Sequence, residues 1–140
     1  MLKGLEALHC KDLKINLKAF TKLRDYQAEA LKAVVSTKEK EGTMVAKSGY
    51  IVLPCGAGKT LLGISICCKI KKETLIVCSS DAGCDQWKRE IEKWTQGISR
   101  DTIIILTAKT MAEYTYDVKD KRSHIFISTY SNLKSKFDPK

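Results

Sequence analysis

Residues 49–60 read Gly-Tyr-Ile-Val-Leu-Pro-Cys-Gly-Ala-Gly-Lys-Thr, and this stretch decides which fold to expect. A short apolar run ends at a proline and two closely spaced glycines, and apolar residues resume after Lys59. The pattern predicts a buried strand over residues 49–54, a tight turn, and a helix beginning near Lys59. A strand, a glycine-rich turn and a helix in this order are typical of a loop that binds phosphate.

The chemistry of the turn suits a nucleoside triphosphate. Gly56 and Gly58 allow the backbone to curl so that successive N–H groups point into one concavity. Lys59 is predicted to reach the β- and γ-phosphates, and the Thr60 hydroxyl is predicted to bind Mg²⁺. We therefore expect ATP and Mg²⁺ as cofactors and treat Lys59 and Thr60 as the catalytic candidates. The cofactor-binding candidates in this stretch are Pro54, Cys55, Gly56, Ala57, Gly58, Lys59 and Thr60.

Two alternatives stay open for this stretch. Leu53 stands where the strict form of the motif has its first glycine, so a glycine turn into an ordinary helix is the competing interpretation. Cys55 precedes the loop N–H groups and Lys59, which favours either a reactive thiol or a cysteine packed passively behind the loop.

The rest of the chain predicts strands alternating with helices. Apolar runs predict strands over residues 74–78, 102–106 and 124–128, and helical spacing predicts helices over residues 26–40 and 84–94. Residues 39–48 are interpreted as an exposed loop, and residues 108–123 as a loop or short helix. Short apolar strands alternating with helices indicate an α/β fold, a doubly wound, mostly parallel sheet. We divide the chain into a lead-in segment, residues 1–22, and a partial domain, residues 23–140.

Composition narrows the class of protein. The chain has 140 residues, 44% of them hydrophobic, and a formal net charge of +9. This charge is typical either of a protein with a polyanionic partner such as nucleic acid or of a solvated, lysine-rich surface. Its apolar runs are too short to cross a membrane, so we expect a soluble, intracellular protein without a membrane partner. The six cysteines include no C-x-x-C pair, which disfavours a zinc site and fits a reducing compartment.

Four blocks in order resemble the xeroderma pigmentosum group B family of superfamily 2 helicases. They are Leu-Arg-Asp-Tyr-Gln at residues 23–27, the loop with its preceding run at residues 51–60, Gln-Trp-Lys-Arg at residues 86–89 followed by Trp94, and Ile-Ser-Thr-Tyr-Ser at residues 127–131. The resemblance implies a truncated RecA-like first motor domain in which Arg24 and Gln27 help to read adenine. A carboxamide also suits the N6/N7 edge of that base. Asp25 departs from the proline that relatives often carry.

The same resemblance places a nucleic-acid backbone at the carboxyl ends of the strands, where open α/β sheets bind ligands. Hydroxyl and amide groups there suit phosphate contacts that carry no sequence information. Trp87 and Trp94 lie seven residues apart on one predicted helix face, and we interpret them as core anchors rather than stacking platforms. The candidates for contact with DNA are Ser79, Ser80, Gln86, Ser128, Thr129 and Tyr130.

The implied activity is ATP-dependent 3′-to-5′ DNA helicase or translocase action in nucleotide excision repair and transcription initiation. The implied partners are DNA and the subunits of general transcription factor IIH, in the nucleus. The family also uses an Asp-Glu box, and no Asp-Glu pair occurs in these 140 residues. We therefore expect this chain alone to bind ATP without efficient hydrolysis. The alternatives are a catalytically incomplete nucleotide- or DNA-binding module, or an unrelated phosphate-loop enzyme such as a small kinase.

Overall fold

The computed structural model describes residues 11–37, 44–113 and 122–137. Short strands and helices alternate along these ranges, and the main sheet has three strands. In chain order the elements are β1 (Asn16–Leu17), α1 (Asp25–Val34), β2 (Val35–Thr37), β3 (Met44–Ala46), α2 (Lys59–Ile70), β4 (Thr74–Cys78), α3 (Asp81–Trp94), β5 (Thr95–Gln96), a 3₁₀ turn (Arg100–Thr102), β6 (Ile103–Leu106), α4 (Ala108–Glu113), β7 (Ile125–Thr129) and α5 (Tyr130–Phe137).

The main sheet has the order β4-β7-β6, and both of its strand pairs are parallel. Ile127 of the central strand pairs with Ile76 on one side and Ile105 on the other. The Ile125 and Ile127 side chains are buried, with Ile64 of α2 and Ile91 of α3 in the same core cluster. The predicted α/β class with parallel strands is confirmed, and three of the predicted strands form this sheet.

Residues 49–54 do not form the predicted strand. They have no regular secondary structure and join no sheet among the described residues, and Tyr50 and Val52 are 100% and 90% exposed. These residues are apolar, as a buried strand requires, but a strand also requires neighbouring backbone groups for its hydrogen bonds. The predicted strand is therefore wrong, because the segment pairs with none of the described strands.

Three predicted boundaries also shift. α1 ends at Val34 instead of near residue 40, because Val35, Ser36 and Thr37 pair antiparallel with Met44–Ala46. The β-branched residues Val35 and Thr37 favour that extended backbone. Residues 44–46 were therefore wrongly assigned to a loop, whereas residues 38–43 lie outside the described ranges. α3 begins at Asp81, three residues earlier than predicted, because the Ser80 hydroxyl accepts a hydrogen bond from the Gly83 N–H.

The described part of the lead-in segment packs into the core. Leu13 and Ile15 are 2% and 0% exposed, and β1 pairs antiparallel with β5. The Lys18 ammonium donates to the carbonyl oxygens of Glu92 and Lys93 at 3.1 and 2.7 Å, at the carboxyl end of α3. A cation at this end stabilises the helix dipole. The division of the chain at residue 22 remains a prediction, as does the ambiguous segment beyond α4, since residues 114–121 lie outside the described ranges.

Candidate nucleotide site and strand-end surface

The glycine-rich turn has the backbone shape that its sequence predicts. Gly56 and Gly58 have positive φ angles of 77° and 79°, a region that side chains with a Cβ rarely adopt. α2 begins at the next residue, Lys59, and the Leu62 N–H donates to the Gly58 carbonyl at 3.1 Å. The first-turn N–H groups of a helix have no partner within the helix, so this turn presents donors together with the positive end of the dipole.

Lys59 folds back over the turn. Its ammonium donates to the carbonyl oxygens of Leu53 and Pro54 at 2.8 and 3.0 Å, and the side chain is exposed. The residues before the turn therefore use two carbonyl groups to bind Lys59, and not to pair with a neighbouring strand. An exposed ammonium held by neutral carbonyls can exchange them for phosphate oxygens, since an anionic acceptor adds the attraction between opposite charges.

Gln27 holds the turn from the first helix. Its Nε2 donates to the Ala57 carbonyl at 3.1 Å and to the Gly58 carbonyl at 3.3 Å, and its Oε1 accepts from the Arg24 N–H at 2.9 Å. The side chain is only 3% exposed. Both ends of the carboxamide are therefore engaged with backbone, and reading adenine would require Gln27 to give up these bonds.

Tyr26 also contacts the turn, although only Arg24 and Gln27 of the first block were predicted as site residues. The Tyr26 hydroxyl donates to the Ala57 carbonyl at 2.9 Å and accepts from Arg24 Nη1 at 3.1 Å. The only signal in the sequence was its position beside Gln27 in the first block, because its partner lies 31 residues further along the chain.

A cavity of about 480 Å³ opens beside the turn. This volume is within the range of sites for small ligands. It brings the predicted Arg24 together with most of the predicted loop. Its lining residues are Arg24, Tyr26, Leu53, Pro54, Cys55, Gly56 and Ala57.

The donor set fits a triphosphate. A Cβ built on Gly58 would lie 2.5 Å from Gln27 Nε2, so only glycine allows the turn and the carboxamide to approach this closely. Thr60 is half-buried in the first turn of α2, next to Lys59. No group of three or more His, Cys, Asp or Glu side chains suited to a metal occurs in the described part of the chain. The Thr60 hydroxyl would hold Mg²⁺ together with the phosphate oxygens.

The described cysteines differ in exposure, and Cys67 is half-buried. Cys55 is exposed at the cavity, whereas Cys78 and Cys84 are buried at the junction of β4 and α3. Burial raises the pKa of the Cys84 thiol to about 11, and Cys78 beside it adds to the rise. Burial likewise raises the pKa of Cys68 to about 12. The exposed Cys55 is therefore the thiol of this region that a reagent in solution can reach.

The two groups of nucleic-acid candidates follow neighbouring strands, and we call the surface formed by the carboxyl ends of β4 and β7 and the N-terminal half of α3 the strand-end surface. Cys78 and Thr129 are register partners in the parallel pair β4–β7, so Ser79 and Tyr130 follow the strands side by side. Ser79 and Tyr130 are exposed there, and Gln86 is exposed in the N-terminal half of α3. Ser80 is exposed as well, but its hydroxyl caps α3. The register therefore places the two blocks next to each other, as the resemblance implies.

Two candidates at this edge point inward. Ser128 is 0% exposed and its hydroxyl donates to the Leu106 carbonyl at 2.8 Å, while Thr129 is 5% exposed and its Oγ1 accepts from the Asn132 N–H. A side chain without accessible surface makes no contact with a nucleic acid in this conformation. The predicted contact of the Ser128 and Thr129 side chains with DNA does not fit this placement, because both hydroxyls form hydrogen bonds within the protein.

Trp87 and Trp94 pack against the fold. A Cβ on Gly63 of α2 would lie 2.7 Å from the Trp87 ring, so Gly63 gives the indole room to approach the helix. Trp94 Nε1 donates to Glu90 Oε2 at 2.6 Å, and the Trp94 ring lies 6.3 Å from that of Phe20. Both placements agree with the interpretation of the tryptophans as core anchors.

No helix in the described ranges is long and apolar enough to cross a membrane.

Comparison with known proteins gives one family match and a consistent set of relatives. The family model described as type III restriction enzyme, res subunit, matches residues 20–139. Among curated proteins, the chain is 36% identical over 124 residues to the Drosophila melanogaster general transcription and DNA repair factor IIH helicase/translocase subunit XPB, covering 87% of this chain and 14% of that protein. The Schizosaccharomyces pombe subunit XPB is 38% identical over 120 residues, covering 86% and 13%. The Saccharomyces cerevisiae subunit XPB/SSL2 is 37% identical over 123 residues, again covering 86% and 13%.

The match extends over nearly the whole chain but only a small part of each relative. The chain spans 13 to 14% of the length of these three relatives. The matched region contains the glycine-rich turn, the clamp formed by Tyr26 and Gln27, and the strand-end surface. The resemblance to the XPB subunits of factor IIH is thus confirmed, and the chain belongs to the family described as type III restriction enzyme, res subunit.

Proposed function

We propose that this chain is the ATP-binding front part of the first, RecA-like motor domain of an ATP-dependent 3′-to-5′ DNA helicase or translocase. The observation that carries the proposal is the clamp of Tyr26 and Gln27 on the glycine-rich turn at the start of α2. An upstream aromatic–glutamine pair and a phosphate loop joined in this way support a nucleotide site rather than an incidental turn.

In this proposal the turn binds the triphosphate of Mg²⁺-ATP. The backbone N–H groups at the start of α2 point at the phosphates, and Lys59 exchanges the Leu53 and Pro54 carbonyls for phosphate oxygens. Thr60 is the proposed metal ligand. Arg24 is the exposed charged group of the cavity and is placed to contact the base or the sugar. Bound Mg²⁺ supplies charge neutralisation at the phosphates.

DNA is the proposed second ligand, and it lies at the strand-end surface. Ser79, Gln86 and Tyr130 are the exposed candidates there, and the net charge of +9 favours a polyanion. The named relatives are helicase/translocase subunits of factor IIH, which supports work in DNA repair and transcription, association with the other subunits of that factor, and a nuclear location.

Binding without turnover is the second candidate, and one observation favours it for this chain by itself. No Asp-Glu pair occurs in the 140 residues. A phosphoryl-transfer site requires carboxylates to hold Mg²⁺ and to orient the attacking water. We therefore propose that the isolated chain binds ATP but releases phosphate no faster than the Lys59→Ala variant does. Phosphate release well above that of the variant would overturn this second candidate.

The first experiment compares the binding of Mg²⁺-ATP to the wild type and to Lys59→Ala by isothermal titration calorimetry. Losing a charged hydrogen-bond donor to the phosphates is expected to weaken binding about 10- to 100-fold. Lys69→Ala is the matched control, because Lys69 is an exposed lysine in the last turn of the same helix. Equal affinity of all three proteins would contradict the phosphate site.

The second experiment uses Cys55 as a reporter for the cavity. ATP bound beside the turn should cover this exposed thiol and slow its alkylation, measured by mass spectrometry of the Cys55 peptide. The control is the Lys69→Ala variant, in which ATP should slow the labelling of Cys55 as much as it does in the wild type. An identical labelling rate with saturating ATP and without it would place the ligand elsewhere.

The third experiment tests the DNA surface by fluorescence anisotropy with a short single strand. The affinity is expected to fall steeply with salt concentration, because lysines and arginines release counterions from the phosphates. Gln86→Ala should weaken binding at every salt concentration, whereas Gln96→Ala, an exposed glutamine on β5, should leave it unchanged. Affinity that does not depend on salt would refute contact with the backbone.

A further inference from the structure

The Ala57 carbonyl, in the middle of the glycine-rich turn, accepts two side-chain hydrogen bonds. Tyr26 OH lies 2.9 Å from this oxygen and Gln27 Nε2 lies 3.1 Å from it. Gln27 also donates to the Gly58 carbonyl, whereas the Tyr26 hydroxyl donates to Ala57 alone. Tyr26 therefore acts on one peptide unit of the turn, the one that joins Ala57 to Gly58.

Fixing a carbonyl fixes the N–H on the other side of the same peptide bond. A trans peptide is planar, and its C=O and N–H point in opposite directions. With the Ala57 oxygen directed to Tyr26 and Gln27, the Gly58 N–H is directed away from α1. Because Gly58 has a φ of 79° and no Cβ, this peptide would otherwise rotate easily.

Arg24 holds the hydroxyl in its donating orientation. Its Nη1 donates to Tyr26 OH at 3.1 Å, so the hydroxyl oxygen accepts from Arg24 and the hydroxyl proton is left for Ala57. The hydrogen bonds thus run from the guanidinium through the phenol to the carbonyl. Polarised chains of this kind strengthen each bond along them.

We propose that Tyr26 is a positioning residue of the nucleotide site, whose hydroxyl aligns the Gly58 N–H for contact with phosphate through the Ala57 carbonyl. The inference rests on the proposed function, since it assumes that the turn binds phosphate. It assigns Tyr26 no contact with the base. The effect of the hydroxyl is therefore the same for any ligand that presents a phosphate chain to the turn.

The test measures the affinity of the wild type, Tyr26→Phe and Tyr50→Phe for Mg²⁺-ATP, Mg²⁺-GTP and magnesium tripolyphosphate by calorimetry. Tyr26→Phe keeps the ring and removes one hydrogen bond, and about fivefold weaker binding of all three ligands is expected. Tyr50→Phe is the matched control, because the Tyr50 side chain is fully exposed. Thermal unfolding of each variant without ligand shows whether the fold has changed.

Each outcome decides a separate point. Weaker binding of the nucleotides with unchanged affinity for tripolyphosphate would make Tyr26 a base contact and overturn the inference. Affinity of Tyr26→Phe equal to wild type for all three ligands would overturn it too, while the loss of binding in Lys59→Ala would leave the proposed function intact. Absence of tripolyphosphate and ATP binding in the wild type would overturn the proposed function itself. If Tyr26→Phe lowers the unfolding midpoint, Tyr26→His, which retains a ring donor, must restore part of the affinity, and equal loss in both variants would count against positioning.

Discussion

Two apolar segments of similar length differ in burial, because β7 is buried whereas residues 49–53 are largely exposed. β7 has a parallel neighbour on each side, and its Ile125 and Ile127 are 1% and 0% exposed. Residues 49–53 pair with no strand in the described ranges, and Val52 is 90% exposed. The comparison teaches that an apolar run becomes a buried strand only where neighbours supply backbone partners and a packed face. The two segments also differ in role, since β7 stabilises the fold whereas Leu53 and the following Pro54 supply the carbonyl oxygens that accept from Lys59.

The strongest test of this separation is a pair of truncations, Ile127→Ala and Val52→Ala. Removing a fully buried isoleucine side chain is expected to lower the free energy of unfolding by about 2–5 kcal/mol, because transfer and cavity terms add. Truncating the exposed Val52 should change it by less than about 0.5 kcal/mol. Urea denaturation followed by circular dichroism measures both. Equal destabilisation by the two variants would show that the exposed segment belongs to the core.

A smaller effect is expected inside the turn, from Gly58→Ala and Gly56→Ala. Both glycines have positive φ, so each alanine costs about 1–2 kcal/mol of backbone strain. Only at Gly58 does the new Cβ also meet Gln27 Nε2; at Gly56 it meets nothing within 4 Å. Gly58→Ala should therefore weaken ATP binding more than Gly56→Ala does. The additional factor is about ten if Gln27 loses its hydrogen bonds to the Ala57 and Gly58 carbonyls.

Calorimetry with Mg²⁺-ATP measures both glycine variants, and urea denaturation checks that the sheet survives. A larger loss of affinity in Gly56→Ala than in Gly58→Ala would contradict the clamp. A loss of stability comparable with that of Ile127→Ala would contradict the separation of the two regions.

The smallest expected effect is a change in pH dependence. Burial raises the pKa of Cys84 from its usual value of 9.0 to about 11, so between these values the thiol is ionised in the unfolded chain and protonated in the fold. The folded state then binds more protons, and the free energy of unfolding falls as pH rises from 9 to 11. Cys84→Ala should show a shallower fall than the wild type, and Val52→Ala should keep the wild-type slope. Parallel slopes for wild type and Cys84→Ala would contradict this origin.

Local patterns in the sequence were enough to predict much of the sheet and the turn. The runs at residues 74–78 and 124–128 are continuous, apolar and flanked by polar residues, and both form strands as expected. The two glycines of the turn also adopt the predicted backbone. These features depend on neighbours in the chain, which a single sequence displays directly.

Features that depend on distant partners were not predictable. Whether residues 49–54 pair depends on strands elsewhere, and composition does not report them. The roles of Tyr26 and Ser128 depend on carbonyls at Ala57 and Leu106, which lie 31 and 22 residues away. The sequence does not show whether a hydroxyl is exposed to solvent or forms a hydrogen bond within the protein. The burial of Ser128 and Thr129 and the cap formed by Ser80 are therefore visible only in the structure.

The clamp between α1 and the turn has a consequence for how the chain tolerates insertions. Gln27 and Ala57 lie 30 residues apart, and their contact closes the intervening segment into a ring. The entropic cost of closing such a ring grows only with the logarithm of its length, so doubling the segment adds about 0.6 kcal/mol. The connection between α1 and the turn is therefore free to lengthen with little penalty, provided that α1 still docks beside α2. We expect members of the family to differ in length there more than in the spacing between Gly58 and Thr60.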